Sequence, residues 1–103
     1  MADAGRLSAA GPGQFELAGP VDFDSVARLL AEGDRAFAPL RSVEVDLARV
    51  TRIDSAGLAL LIEWSLAARA AGRQLRYRNL PPAVTSLAGI SDVSELLAES
   101  AGG

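Results

Sequence analysis

The sequence predicts a small α/β domain built on a mostly parallel sheet, and three observations carry that prediction. Segments with the two-residue period of strands alternate with segments of helical period, the pattern of strands joined by crossover helices, which are right-handed as a rule. The run Ser42-Val43-Glu44-Val45-Asp46-Leu47 alternates cleanly, with Val43, Val45 and Leu47 on one side. The segment Val50 to Leu58 carries an apolar strand directly into an apolar helix through Asp54 and Ser55. Orphan backbone N–H groups and the helix dipole favour a side-chain oxygen, a carboxylate or a phosphate at such a junction.

In chain order, residues 1–13 are small and Gly-rich and read as a flexible lead-in, with Arg6 to Ala9 as an alternative edge strand. A single domain is expected over residues 14–99, with a short flexible tail at 100–103. Phe15 to Ala18 alternates and meets Gly19-Pro20, a strand closed by a turn. Asp24 is placed to cap a helix in which Val26, Leu29, Leu30, Gly33 and Phe37 keep helical spacing, and Pro39 bounds it. The strand Ser42 to Leu47 and the Asp54-Ser55 junction follow. The next helix, Ala56 to Ala71, ends at Gly72, a residue suited to a left-handed cap. Leu75 and Tyr77 alternate with Arg76 and Arg78 in a further strand. Pro81 and Pro82 suit the first turn of a short helix reaching Leu87. Ser91 can cap a last helix, Asp92 to Ala98, with Val93, Leu96 and Leu97 as its apolar stripe.

Composition removes most catalytic chemistries. The chain has neither Cys nor His, and all ten of its basic residues are Arg. Thiolates, imidazole bases, sulfur-based metal sites and lysine nucleophiles are therefore absent, and no cofactor or metal is expected. The acidic residues show no paired arrangement of the kind that splits two carboxyl pKa values for acid/base work. A net charge of −3 disfavours nucleic acid as the main partner. Arg69, Arg73, Arg76 and Arg78 form a local basic cluster, read as a solvated helix end and strand faces in preference to an anion site. No run is long enough to span a membrane, and the N-terminus lacks an export pattern, so a cytoplasmic location is expected.

The helix from Ala56 is apolar on more sides than one sheet can cover. At about 100° per residue, Leu58, Leu61, Ile62 and Ser65 share one face, whereas Leu60, Trp64, Ala67 and Ala71 share another. The second stripe is expected to dock a partner, with Trp64 and Leu60 beside Ser55. The alternative is a packed contact between helices. Ser55 itself has three readings: a cap, an unmodified contact, or a phosphate acceptor with Arg49 and Arg52 nearby in sequence.

The stretch Val50-Thr51-Arg52-Ile53-Asp54-Ser55-Ala56-Gly57-Leu58-Ala59-Leu60-Leu61, preceded by the strand Val43 to Leu47 and followed by Ala67, Ala68 and Gly72, resembles a STAS domain. The resemblance extends from Phe15 to Leu97. It implies a STAS-type mixed, mostly parallel sheet with helices largely on one side, no catalytic activity, and docking to another protein. Asp54, Ser55, Ala56, Gly57, Leu60, Glu63, Trp64 and Ala67 are the partner-binding residues expected on this basis, with Ser55 at the position that some family members have phosphorylated. Within the family the chain is most similar to the cytoplasmic subunits of phospholipid-transport ABC complexes of Gram-negative bacteria. That likeness implies binding to the ATPase subunit on the inner face of the inner membrane, in a complex with permease and substrate-binding subunits. The alternative role is that of an anti-sigma factor antagonist switched at Ser55.

Overall fold

A computed structural model of the protein describes residues 4–84. Four strands and two helices follow one another as β1 (Arg6–Gly11), β2 (Gln14–Val21), α1 (Val26–Phe37), β3 (Ser42–Ile53), α2 (Ser55–Ala71) and β4 (Gln74–Arg78). The strands lie side by side in chain order in one sheet. β1 and β2 are antiparallel, whereas β2–β3 and β3–β4 are parallel. This is the mixed, mostly parallel sheet that the alternation of periods implies.

The lead-in is a hairpin. Gly11 pairs with Gln14 across a two-residue turn in which Pro12 precedes Gly13, whose φ of 69° suits the residue after proline in a tight turn. Only Leu7 in β1 packs on the core, so the strand leaves almost no hydrophobic period in the sequence. The edge-strand alternative, and not a flexible lead-in, describes residues 6–11. β2 also runs on through Gly19-Pro20, where a turn was expected. Gly19 adopts a φ of 82° and the pairing shifts register at Pro20, so the strand takes a bulge and continues to Val21. Proline is tolerated there because a bulge removes the need for its missing N–H.

Alternation then decides the faces. Phe15, Val45 and Tyr77 form one row across the sheet, and Val43 pairs with Leu75 beside them. With Leu17, Leu47 and Val21 they make the surface on which the helices pack. Opposite rows carry Glu16, Asp46 and Arg78, then Gln14, Glu44 and Arg76. That face is polar, cross-linked by Arg49–Glu16 at 3.3 Å and Arg78–Glu44 at 3.6 Å. Both helices therefore lie on the apolar side.

The helix contact is centred on one indole. Trp64 of α2 is 1% exposed and rests against Gly33 of α1, where an added Cβ would fall 2.5 Å from Cε2 and 2.6 Å from Cζ2. Phe37 packs edge-on to Trp64 at 5.3 Å and Phe15 edge-on to Phe37 at 5.0 Å, so an aromatic chain ties α2 to α1 and the sheet. The Trp64 indole N–H is buried with no acceptor among the described residues. Tyr77 donates a 2.6 Å hydrogen bond to the Leu61 carbonyl, and burial pushes its phenol well above its ordinary pKa.

Gly72 ends α2 in the left-handed conformation, donating its N–H to the Ala68 and Arg69 carbonyls. A helical turn at residues 82–84 begins where Pro81-Pro82 directs it. The remainder of that helix and the expected last helix, Asp92 to Ala98, lie outside the described residues.

Candidate functional site

The C-terminal ends of parallel β2 and β3 meet the N-termini of α1 and α2 at one edge of the domain, the position at which open α/β sheets commonly carry their sites. Asp54 organises this edge. Its Oδ1 accepts the Gly57 N–H at 3.0 Å and so caps α2, while its Oδ2 accepts the Phe23 N–H at 3.3 Å from the loop before α1. Asp54 N–H reaches the Val21 carbonyl at 3.4 Å. Gly57 has no room for a side chain, because a Cβ there would strike the same Val21 carbonyl and come within 2.5 Å of Ile53 Cγ1. The Asp-Ser-x-Gly spacing thus seats the first turn of α2 on the end of β2.

Since Asp54 takes the capping role, Ser55 is released from it. Ser55 is the first helical residue, is exposed, and has no side-chain hydrogen bond among the described residues. Arg52 donates to Asp22 at 2.6 Å, closing the two loops against each other and holding the Asp22 carboxyl below its usual range. Arg49, expected near a Ser55 phosphate, instead pairs with Glu16 on the polar sheet face.

The loop of residues 22–25 is self-braced. Ser25, 4% exposed, accepts the Asp22 N–H at 3.0 Å and donates to the Pro20 carbonyl at 3.1 Å, and Asp22 accepts the Asp24 N–H at 3.1 Å. Asp24 therefore does not cap α1, contrary to expectation; Ser25 stands at the cap position and makes no side-chain cap bond. The consequence is that Phe23 is thrust outward, 80% exposed, beside the Asp54-Ser55 junction. Sequence reasoning missed it. An aromatic between two aspartates, outside any helical or strand period, was the available signal.

The expected docking residues separate into distinct environments. Trp64 and Leu60, at 1% and 3% exposure, are sealed between the helices, so the uncovered stripe assigned to them is corrected to a helix–helix contact. Gly57 is likewise buried. Ala56, Glu63 and the rim of Leu60 line an open groove of about 130 Å³ between α2 and α1, opposite Val26, Ala27 and Leu30. Ala67 is exposed further along α2. The face of α2 that is free lies elsewhere on the wheel: Ala59, Glu63, Leu66 and Ala70 are exposed, Leu66 at 46%. The fold covers Leu60 and Trp64 of the second stripe, and the open side of α2 is turned away from Trp64.

The arginine cluster does not converge. Arg73 donates to the Leu40 and Ala38 carbonyls at the far end of α1, while Arg76 and Arg78 stand on the polar sheet face. No group of His, Cys, Asp and Glu among the described residues can hold a metal ion. No helix among them is long and apolar enough to cross a membrane. A wider cleft of about 610 Å³ between β1 and α1 is open to solvent, and its Glu32 is already paired with Arg28.

Fold and site together define a single-sheet α/β domain whose unusual features form a surface at the strand ends. The sequence matches the family model described as "Mlab, STAS domain" over residues 6–98, and the chain belongs to the STAS domain family. None of the curated proteins matches it in sequence. Among solved structures it is similar to the anti-sigma factor antagonist SpoIIAA in its unphosphorylated form, with a TM-score of 0.66, 16% identity and coverage of 85% of this chain and 84% of that one. The Bacillus cell fate determinant SpoIIAA in its phosphorylated form gives a TM-score of 0.65 at 19% identity, covering 90% and 87%. Mglu gives 0.55 at 26% identity over 75% of this chain but 19% of that much longer one. The fold is SpoIIAA-like.

Proposed function

We propose that this chain is a non-catalytic accessory subunit that binds and regulates the ATPase of an ABC phospholipid transporter maintaining outer-membrane lipid asymmetry. The reading is MlaB-like, with an MlaF-like ATPase as the partner, in the cytoplasm against the inner membrane. One observation carries the docking role: Phe23 stands 80% exposed on a loop whose backbone is bonded to the cap of α2, beside an unbonded Ser55. An exposed aromatic held on a braced loop loses little freedom on binding, which is the character of an interface anchor. The family description directs the choice of partner.

Purified chain and an MlaF-like ATPase from the same organism are expected to form a complex that changes the ATP hydrolysis rate. Phe23→Ala and Ser55→Glu should weaken it. Failure of the two purified wild-type proteins to associate would refute the assignment.

A second reading is supported by the exposed Ser55 hydroxyl at the positive end of α2 and by the phosphorylated and unphosphorylated SpoIIAA structures. On that reading the chain is an anti-sigma factor antagonist. Intact mass of the protein from cells, with and without phosphatase, separates the two; a phosphatase-sensitive mass increase mapped to Ser55 favours the second.

A further inference from the structure

We propose that the α1–α2 groove receives an amphipathic helix of the ATPase subunit, one that carries an apolar stripe flanked by Lys or Arg. This rests on the function proposed above and adds which surface is used and what chemistry fits it. The groove walls are Val26, Ala27 and Leu30 on one side and Ala56, Ala59 and Leu60 on the other. At about 130 Å³ it is well below the ~300–1,000 Å³ of a pocket for a small molecule, and it is open along its length. Its dimensions suit side chains laid in from a neighbouring element. α1 has 12 residues, roughly 18 Å of helix, which matches three turns of an incoming helix. The recognition mode is a helix laid in a groove between helices, with Phe23 anchoring one end.

Charge selects the occupant. Glu63 lines the groove, Asp34 lies one turn beyond Leu30 on the same face of α1, and Asp24 stands beside Phe23. None of the three carboxylates is in an ion pair among the described residues, in contrast to Glu32, Glu44, Glu16 and Asp22. Arg28 and Arg35 fall on the far side of α1 by helical spacing, and Arg52 is engaged by Asp22. An apolar trough with an unpaired acidic rim attracts a helix flanked by basic residues. It repels an anionic membrane surface. A second copy of this chain would bring Glu63 of α2 toward the same acidic rim.

The test uses the purified full chain and the purified ATPase subunit. Ala59 is exposed, so Ala59→Arg fills the groove without touching the core, and Asp34→Arg with Glu63→Arg reverses the rim. Each is expected to weaken association by about tenfold or more, and the rim variant should also lose the salt dependence of the wild-type on-rate. Arg76→Glu on the polar sheet face serves as a control and should bind as wild type. Wild-type binding left unchanged by both groove variants overturns the inference alone. Absence of wild-type binding overturns the proposed function and this inference together. If Ala59→Arg breaks a homodimer, or binding to anionic phospholipid vesicles, while ATPase affinity is intact, the groove has a different occupant and the inference fails.

Discussion

Replacing Gly33 with alanine puts two physical effects in direct opposition. In an open helix the change stabilises by about 1 kcal/mol, because alanine restricts the unfolded chain and favours the helical state. Here the new methyl would sit 2.5 Å from Trp64 Cε2 and 2.6 Å from Cζ2. Carbon atoms settle at about 3.5 Å or more, so the indole or the whole of α1 must move by about 1 Å. The ring has little freedom to move, since Phe37 packs against it at 5.3 Å and the indole is 1% exposed. With contacts about 1 Å too short the cost falls in the upper half of the range typical of overpacking, about 2–3 kcal/mol, which exceeds the helix gain and leaves a net loss of about 1–2 kcal/mol. In a domain of this size that lowers Tm by about 4–8 °C per kcal/mol. The assay is thermal and urea unfolding of Gly33→Ala, Trp64→Phe and the double variant. Trp64→Phe removes the ring atoms that the methyl strikes, so in that background Gly33→Ala should turn neutral or stabilising. A Gly33→Ala protein as stable as wild type would refute the packing described for Trp64.

Four further outcomes follow from the same structure. Phe23→Ala should leave urea stability within about 0.5 kcal/mol of wild type while weakening ATPase binding by about tenfold or more, since the ring touches solvent and not the core. Asp54→Ala removes the cap of α2 together with the bond to Phe23 N–H, and should cost about 0.5–2 kcal/mol in chemical denaturation. Asp22 and Asp46 are both held below the ordinary carboxyl range, Asp22 chiefly by the Arg52 hydrogen bond and Asp46 chiefly by that of Asn79. A depressed folded pKa adds stability above the unfolded value near 4 that is lost on further acidification, so a pH titration of Tm should fall below about pH 4, less steeply in Asp22→Asn with Asp46→Asn. Tyr77 has the opposite sign: its pKa is raised by burial, so its contribution is complete below about pH 10 and lost as pH rises beyond that, a decline that Tyr77→Phe should remove.

The elements with a strong period were legible. α2 spans Ser55–Ala71 and ends at Gly72 as its pattern requires, and β3 buries Val43, Val45 and Leu47 on the face that alternation assigns to them. β1 was legible only as an alternative, because a single large apolar residue, Leu7, cannot display a period and its pairing with β2 is decided by the Pro12-Gly13 turn. Gly19-Pro20 reads as a stop locally, yet parallel pairing of Pro20 with Arg52 and Val21 with Ile53 carries the strand past it. Here tertiary pairing outweighs local propensity.

At the site, the Asp54-Ser55 junction was visible because caps and orphan N–H groups are local chemistry. Phe23 was not, because its exposure arises from Ser25 bracing the loop locally and from Asp54, 31 residues away, accepting the Phe23 N–H. Trp64 illustrates the same limit from the other direction. A wheel shows which residues of α2 share a face, but the partner of that face is Gly33, whose absent side chain is the feature that admits the indole.

The buried Trp64 gives α2 two separate tasks. Its inner arc, from Leu60 and Trp64 round to Leu58, fixes the angle between α1 and α2, and that angle sets the width of the groove between Ala59 and Leu30. Its outer arc, with Ser55, Ala59 and Glu63, is the face proposed above to meet the partner. A substitution at Trp64 can therefore abolish binding without any contact to the partner, by letting α1 shift. Phe23 or Ala59 variants act at the surface alone. Weak binding by a Trp64 variant accordingly counts toward docking only if its unfolding curve matches that of wild type, whereas weak binding by Ala59→Arg with a wild-type curve locates the contact in the groove. Measuring stability and affinity on the same samples separates the scaffold of this helix from its working face.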